Sequence, residues 1–253
     1  MIICVTNQKG GVGKTTSVSA LSGAFGKMGK QVIAIDLDPQ GNLSSSLGYD
    51  DPEKTIEGVL FDQYDVEESL HKVNDHLLLA PCTKSLGSFE IEMLNKIGRE
   101  KILSKKIGHL EEHCDLLLLD TPPSLNLLTV NALSLAQDVL VPINAEKFSI
   151  EGLKEVLLTI DMIRDEINPK LSFAGAFFTM FNRQKLLSKA MEQEVTTMIG
   201  EEHLFKTKVR VNVALQEAYT LGQLVYDYAP DSPGAKDYLK IAEEYLKKMS
   251  LAK

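Results

Sequence analysis

A glycine-rich turn, "TNQKGGVGKTT" at residues 6–16, follows an apolar run and precedes a stretch with helical spacing. A strand, a tight turn and a helix in this order point backbone N–H groups and the positive end of the helix dipole at one place. The phosphate-binding pattern G-x-x-x-x-G-K-[ST] fits the turn except at its first letter, where the chain has Gln8. The turn is therefore either a damaged phosphate site or a variant of one.

The polar residues of the turn favour a working site. We expect a helix to begin at Lys14, whose ammonium would lie along the β- and γ-phosphates of a nucleotide, and Thr15 to offer its hydroxyl to Mg²⁺. A turn that only joins a strand to a helix would explain the glycines but not the lysine and two threonines. The nucleotide-binding residues predicted from the turn are Gly10, Gly11, Val12, Gly13, Lys14, Thr15 and Thr16.

Short apolar runs, each followed by a helix-like segment, define the fold class. The runs are Ile2 to Thr6, Gln31 to Asp36, Leu77 to Ala80, Asp115 to Asp120, Val139 to Ile143 and Phe173 to Met180. Continuous apolar runs are typical of parallel strands that are covered on both faces. We therefore predict one α/β domain over residues 1–253, a doubly wound, mostly parallel sheet flanked by helices. The acidic, turn-rich segment at about 47–75 is predicted to be a surface excursion with short helices.

Composition excludes several classes of protein. Apolar residues make up 44% and charged residues 25% of the chain, which is typical of a globular protein with a sizeable core. The formal charge of −8 argues against a surface that binds nucleic acid everywhere, so any polyanion site must be local. Cys4, Cys82 and Cys114 are widely spaced and indicate neither a disulfide framework nor a zinc site. Without a signal-like start or a long apolar run, we expect a cytoplasmic protein.

Three aspartates stand at the carboxyl ends of predicted strands. Asp36 and Asp38 follow "VIAI", and Asp120 ends the buried run "CDLLLL". In open α/β sheets ligands gather at this edge, so the carboxylates would lie near the γ-phosphate. One carboxylate can order the Mg²⁺ shell while another orients the attacking water. We expect Thr15, Asp36 and Asp120 at the Mg²⁺ site.

The motif "KGGVGKTT" resembles the deviant Walker A loop of the ParA/MinD ATPases, a class of P-loop NTPases. The resemblance extends over almost the whole chain. The segments similar to the ParA/Soj branch are "DPQGN", "PPSLNLLTVNAL", "VPINAEKFSIEGL" and "SPGAKDYLKIAEEYLKK".

The resemblance implies roles for individual residues. It makes Lys9 the signature lysine that reaches the phosphates of a partner's ATP across a nucleotide-sandwich dimer, so Lys9 joins the ATP-binding set. It makes Asp38 the residue that positions water, with Lys9, Lys14 and Asp38 as the catalytic residues. Relatives contact adenine near two further positions, Asn182 and Arg210. The amide of Asn182 could both donate to and accept from the purine edge.

The implied function is an ATP-dependent dimerisation switch in plasmid or chromosome partition. The dimer would hydrolyse Mg-ATP slowly, be stimulated by a ParB-like partner, and bind DNA non-specifically, at the nucleoid, while ATP is bound. The DNA-binding candidates are Arg183, Lys185, Lys206, Lys208 and Arg210. Relatives have arginines where this chain has Val211 and Ala214. Either the basic contacts have moved to the candidates, or DNA binding is weak.

Two other classes of function compete with this interpretation. A MinD-like positioning ATPase needs a basic amphipathic C-terminal helix that inserts into lipid. The last segment has helical spacing at Tyr238, Ile241 and Tyr245, but its lysines are balanced by acids, so we expect it to pack on the domain and no membrane partner. A metabolic enzyme of the dethiobiotin-synthetase type would need a substrate pocket with its own chemistry, for which the sequence shows no constellation.

Overall fold

A seven-stranded sheet forms the centre of the computed structural model, which describes residues 1–146 and 149–251. The strands are β1 (Ile2–Val5), β2 (Val32–Asp36), β3 (His71–Asn74), β4 (Leu77–Ala80), β5 (Leu116–Asp120), β6 (Asp138–Asn144) and β7 (Ser172–Thr179). They lie in the order β3-β4-β2-β5-β1-β6-β7, and each adjacent pair is parallel except β3 with β4. The predicted doubly wound, mostly parallel sheet is confirmed.

Helices cover both faces of the sheet. The longer ones are α1 (Lys14–Lys27), α6 (Leu127–Leu135), α7 (Ser149–Glu166), α8 (Leu186–Ile199), α9 (Val213–Thr220) and α11 (Pro233–Leu251). The short ones are α2 (Asn42–Ser46), α3 (Ile56–Leu60), α4 (Phe89–Glu92), α5 (Ile102–Ile107) and α10 (Val225–Tyr228). As predicted from the turn, α1 begins at Lys14.

The two faces of the sheet explain why the apolar runs are continuous. Ile3 and Val5 of β1 belong to the core layer under α1 and α11, while Ile2 and Cys4 point into the layer under α6 and α7. Each position along a central strand therefore needs an apolar side chain, because successive side chains alternate between two covered faces.

The segment at 47–75 is more deeply embedded than an acidic surface excursion. It holds α3, a 3₁₀ turn at Val66–Ser69 and the edge strand β3. Ile56, Val59 and Leu60 are buried in the core under α3. The segment therefore covers one edge of the sheet, where β3 is a polar edge strand and α3 contributes apolar residues to the core.

The last helix packs on the body of the protein. Tyr238, Ile241 and Tyr245 of α11 are buried against α1 and the sheet. The hydroxyl of Tyr245 donates to Oδ2 of Asp138 at 2.7 Å, which ties the helix to the start of β6. In the part of the chain that the structure describes, no helix combines the length and the apolar character needed to cross a membrane.

Candidate nucleotide-binding site

The register of three central strands brings the predicted site residues to one edge of the sheet. Val5, the last residue of β1, pairs with Asp120 of β5, and Asp120 pairs in turn with Asp36 of β2. The glycine-rich loop leaves β1 between β5 and β6, so it begins beside these carboxylates. The expectation that Asp36 and Asp120 share the edge with the loop is therefore met by the strand pairing.

The loop uses its glycines for conformation. Gly11 and Gly13 have φ of +74° and +85°, which side-chain-bearing residues adopt only at a cost. Gly13 is the N-cap of α1, and the first turn of this helix contains neither an acidic residue nor a side-chain cap. The N-terminal N–H groups of α1 are therefore available to phosphate oxygens, as the sequence predicted.

Buried polar contacts hold the loop in place. The side chain of Asn7 donates to Pro142 O at 2.8 Å and accepts from the backbone N–H of Lys9 at 2.9 Å. The hydroxyl of Thr179, at the end of β7, donates to Val12 O at 2.8 Å. Gln8, which breaks the common motif, donates to the hydroxyl of Thr159 on α7 at 3.4 Å. The unusual residue thus joins the loop to α7, on the other side from α1.

Lys14 is placed for a phosphate inside the site. It is 7% exposed, and its ammonium donates to Lys9 O at 3.4 Å. Burial lowers its pKa, and the negative charges of Asp120 and Asp38 oppose that shift. A buried cation beside two carboxylates and a ring of N–H groups is suited to a polyanionic ligand that brings its own counter-cation.

Asp120 has the features of a residue that helps to hold a cation. It is fully buried, and neither carboxylate oxygen has a hydrogen-bond partner among the described residues. Burial first, and then the charge of Asp36, raise its pKa well above the ordinary value. Among the described residues no cluster of three or more His, Cys, Asp or Glu side chains is arranged to hold a metal ion. Mg²⁺ usually keeps several waters and takes few protein ligands beside the phosphates of a substrate.

Asp36 differs from Asp120 in that its oxygens are already bonded. They accept from the N–H and hydroxyl of Ser44 at 2.8 and 2.7 Å, and from the N–H of Asp38 at 3.1 Å. Burial, the largest influence, raises the pKa of Asp36 to about 6. Asp36 therefore stabilises the turn that follows β2, and its place at the Mg²⁺ site stays a prediction.

A cavity of about 610 Å³ opens above this edge and has the size of a small-molecule site. Gly10, Gly11, Gly13, Lys14, Thr15, Thr16 and Asp38 line one end of it. The lining also includes residues around the start of α9: Val209, Arg210, Val211, Asn212, Val213, Leu215, Gln216 and Tyr219. A nucleotide with its phosphates on the loop would therefore direct its base toward the start of α9.

Two asparagines, Asn182 and Asn212, are placed differently with respect to the cavity, and the adenine contact of Asn182 stays a prediction. Asn182 is not among the described lining residues, and its side chain accepts from the N–H of Gln184 at 2.9 Å to close a turn. Asn212 lines the cavity, and its buried Oδ1 has no partner among the described residues. Asn212 precedes α9 but makes no capping bond. Asn212 was not among the residues predicted from the sequence, because a lone asparagine before a helix carries no motif.

Lys9 points away from its own loop. Its ammonium donates to Asn144 Oδ1 at 3.2 Å and to Glu146 Oε2 at 2.5 Å, both at the end of β6. The hydrogen bond and charge of Lys9 lower the pKa of Glu146. The two loop lysines therefore occupy different places: Lys14 lines the cavity, whereas Lys9 is not among the described lining residues and is bonded to Asn144 and Glu146.

The DNA-binding candidates divide into two groups. Arg183, Lys185 and Lys206 are exposed. Lys208 is paired with Glu192, and the guanidinium of Arg210 makes two bonds to Asp237, at 2.9 and 2.8 Å. Arg210 also lines the cavity, as its predicted nucleotide role requires. Both paired cations are already neutralised by a carboxylate.

The sheet order, the loop at the start of α1 and the aspartates beside it define a P-loop nucleotide-binding protein. A family model described as "AAA domain" matches residues 1–173. The sporulation initiation inhibitor protein Soj of Bacillus subtilis is 36% identical over 246 residues, 96% of this chain and 97% of the relative. The chromosome-partitioning ATPase Soj of Thermus thermophilus is 38% identical over 252 residues, 99% and 97% of the two chains. The chain therefore belongs to the ParA/Soj family of partitioning ATPases.

A solved structure gives the same fold. Cobyrinic acid a,c-diamide synthase from Mycobacterium smegmatis, with a bound ATP analogue and magnesium, superposes with a TM-score of 0.87 at 30% identity. The match covers 100% of this chain and 96% of the other.

Proposed function

We propose that the protein is an ATP-dependent dimerisation switch that hydrolyses Mg-ATP and, as the ATP dimer, binds DNA non-specifically in plasmid or chromosome partition. The observation that carries the proposal is the placement of two lysines of one loop. Lys14 lines the cavity beside Asp38 and Asp120, whereas the ammonium of Lys9 is bonded to Asn144 and Glu146. Lys14 would thus bind the phosphates of the nucleotide in its own chain, and Lys9 would be available to the nucleotide of a second subunit.

The residues of the cavity suit phosphoryl transfer to water. Thr15 and Asp120 would hold Mg²⁺, which neutralises charge on the β- and γ-phosphates, and Lys14 would add a second positive charge there. Asp38 is 6% exposed and lines the cavity, and among the described residues its Oδ1 accepts the N–H of Gln40, at 3.0 Å. Its other oxygen could accept a hydrogen bond from a water in line with the γ-phosphate.

The contacts of the Lys9 ammonium support the proposed dimer. Within one chain the ammonium of Lys9 donates to the side chains of Asn144 and Glu146. A second subunit facing the cavity would give it a more highly charged partner, the triphosphate. An added cation of this kind stabilises charge in the transition state much as an arginine finger does. Slow turnover in the single chain, with stimulation by a ParB-like partner, follows if Lys9 must first leave Glu146.

The exposed basic residues favour DNA as the binding partner of the ATP dimer. Arg183 and Lys185 are exposed beside the turn that precedes α8, and phosphate contacts need no particular base sequence. The protein would then be cytoplasmic and associate with the nucleoid when ATP is bound. The alternative, a MinD-like membrane ATPase, is disfavoured because α11 buries Tyr238, Ile241 and Tyr245 in the core instead of presenting them to lipid.

Because the fold is similar to that of a diamide synthase, an ATP-dependent synthase is the alternative function. Such an enzyme needs groups that handle a second substrate. No histidine or cysteine occurs among the described residues that line the cavity, and the lining beyond the loop consists of apolar residues, amides and hydroxyls with Arg210 held by Asp237. This composition supports a site that binds nucleotide alone.

A gel-shift experiment with random-sequence duplex tests the proposed output. Binding is measured with ATP, with ADP and without nucleotide, each at two salt concentrations, with Lys14→Ala as the control. We expect binding with ATP only, weakened by salt. Equal binding in all three nucleotide states, or no DNA binding while the protein sediments with liposomes, would overturn the proposal.

A further inference from the structure

We propose that Cys82 is a positioning residue for Asp38, so that the loop after β4 fixes the geometry of the hydrolytic water. The inference rests on the proposed ATP hydrolysis, in which Asp38 orients that water. Cys82 is 3% exposed and is not among the described residues that line the cavity. It contacts the main chain of the turn that follows β2.

The thiol of Cys82 contacts the main chain of Asp38 directly. Its Sγ donates to Asp38 O at 3.0 Å, and the same oxygen accepts from the N–H of Gly41 at 2.8 Å. Burial, the main influence, raises the pKa of the Cys82 thiol, so the thiol remains a proton donor at neutral pH. The carbonyl end of the Asp38 residue is therefore fixed by two donors.

Cys82 also holds the backbone N–H side of Asp38, through Ser44 and Asp36. The N–H of Cys82 donates to the hydroxyl of Ser44 at 3.0 Å, and that hydroxyl donates to Oδ2 of Asp36 at 2.7 Å. Oδ1 of Asp36 accepts the N–H of Asp38 at 3.1 Å. Cys82, Ser44, Asp36 and Asp38 thus form a closed ring of hydrogen bonds that leaves the Asp38 side chain directed into the cavity.

The other side of the loop is anchored on α3, so Cys82 itself has little freedom to move. The N–H of Thr83 and the hydroxyl of Ser85 each donate to Oε1 of the buried Glu57 at 2.9 Å. The N–H of Ile56 donates to Pro81 O at 2.8 Å. A rigid support of this kind matters for catalysis, because a shift of about 1 Å in a reacting group can cost roughly a hundredfold in rate.

Substitutions at Cys82 distinguish the hydrogen bond of its thiol from the packing of its side chain. Cys82→Ala removes the donor, Cys82→Ser retains one, and Cys82→Val fills the site without a donor and gives the same comparison should the alanine variant fold poorly. Cys114→Ala is the matched control, because the Cys114 thiol also donates to a carbonyl, that of Leu110 at 3.3 Å, near the opposite end of β5.

Steady-state ATP hydrolysis is measured for each variant, together with binding of a fluorescent ATP analogue. We expect kcat to fall roughly tenfold in Cys82→Ala and Cys82→Val with KM for ATP unchanged, since the phosphate loop is untouched. Cys82→Ser should recover most of kcat, and Cys114→Ala should match the wild type.

Two results would overturn the inference: wild-type kcat in both donor-free variants, or a serine variant as slow as the alanine variant. A rise in KM equal to the fall in kcat/KM would assign Cys82 to nucleotide binding and also contradict it. Absence of ATP hydrolysis in the wild-type protein would instead refute the proposed function, so the two failures are distinguishable.

Discussion

The ammonium nitrogen of Lys9 lies 2.5 Å from Oε2 of Glu146 in its own chain. The Glu146 side chain is 62% exposed and that of Lys9 is 25% exposed. Exposed ion pairs contribute little to stability, about 0.2–1 kcal/mol, so a triphosphate on a second subunit can displace Glu146 from Lys9. In the proposed dimer the Lys9–Glu146 pair would therefore compete only weakly with binding of Lys9 to the triphosphate.

Lys9→Ala should abolish ATP-induced dimerisation, whereas Glu146→Gln should favour it. Loss of the competing carboxylate is expected to lower the ATP concentration at half-maximal dimerisation by about two- to fivefold. Static light scattering during an ATP titration measures both effects. Asp75→Asn, which breaks the exposed pair with Lys72 in the turn after β3, is the control and should leave the midpoint unchanged. An unchanged midpoint in Glu146→Gln would show that the ion pair does not compete.

Asp38→Ala should give an ATP dimer that persists, because loss of the carboxylate stops water activation while the phosphate loop still binds ATP. We expect phosphate release to fall by about a hundredfold or more. Size-exclusion chromatography after ATP removal measures the lifetime of the dimer. Asp51→Ala, an exposed aspartate of the 47–75 segment, serves as control. Wild-type turnover in Asp38→Ala would exclude the proposed role.

Asp120→Asn should stabilise the nucleotide-free protein and at the same time abolish its response to Mg-ATP. The buried carboxylate lacks hydrogen-bond partners among the described residues and lies beside Asp36, so its replacement by a neutral amide is expected to raise the free energy of unfolding. Urea unfolding with and without Mg-ATP measures both effects. A destabilised variant that still responds to Mg-ATP would contradict the assignment of Asp120 to the cation.

DNA affinity should depend more on Arg183 and Lys185 than on the two paired cations. The slope of log affinity against log salt is expected to decrease by about 2 in Arg183→Ala/Lys185→Ala, one for each lost phosphate contact. Lys208→Ala and Arg210→Ala should change it less, because Glu192 and Asp237 already neutralise these side chains. Filter binding in ATP at several salt concentrations measures the slopes, and the reverse order of effects would refute this assignment.

Asp138→Asn should alter how stability depends on pH. Burial raises the pKa of Asp138 above its ordinary value of 3.8, although Tyr245 donates to it. The folded state therefore holds the proton more tightly, and this group makes the protein less stable as pH rises from about 3.8 through the folded-state pKa. Urea unfolding over this range should show the variant gaining stability relative to the wild type until the difference levels off. Parallel curves would exclude a buried charge at this position.

Much of the fold could be predicted because its signal is local. Continuous apolar runs marked six of the seven strands, and the glycine-rich loop marked the start of α1. β3 was missed because "HKVN" is a polar, partly exposed edge strand that pairs antiparallel with β4. The apolar residues of α3 are separated by acids and turns, which hid their place in the core.

The site was predictable in its motifs but not in the contacts made by distant residues. Asp36 and Asp120 look alike in sequence, yet only Asp36 is bonded to Ser44, eight residues further on. Asn182 and Asn212 both follow apolar segments, and only the pairing of β7 with the later chain decides which of them faces the cavity. Such differences depend on three-dimensional neighbours, which a single sequence does not specify.

The first turn of α1 presents N–H groups with neither an acidic side chain nor a cap to satisfy them. Helix N-termini of this kind bind sulfate and phosphate as readily as nucleotides. In a phosphate-rich solution the loop would therefore bind a small anion, which ATP would have to displace. Inorganic phosphate, which hydrolysis itself releases, becomes a competitor at the place where the next nucleotide must bind.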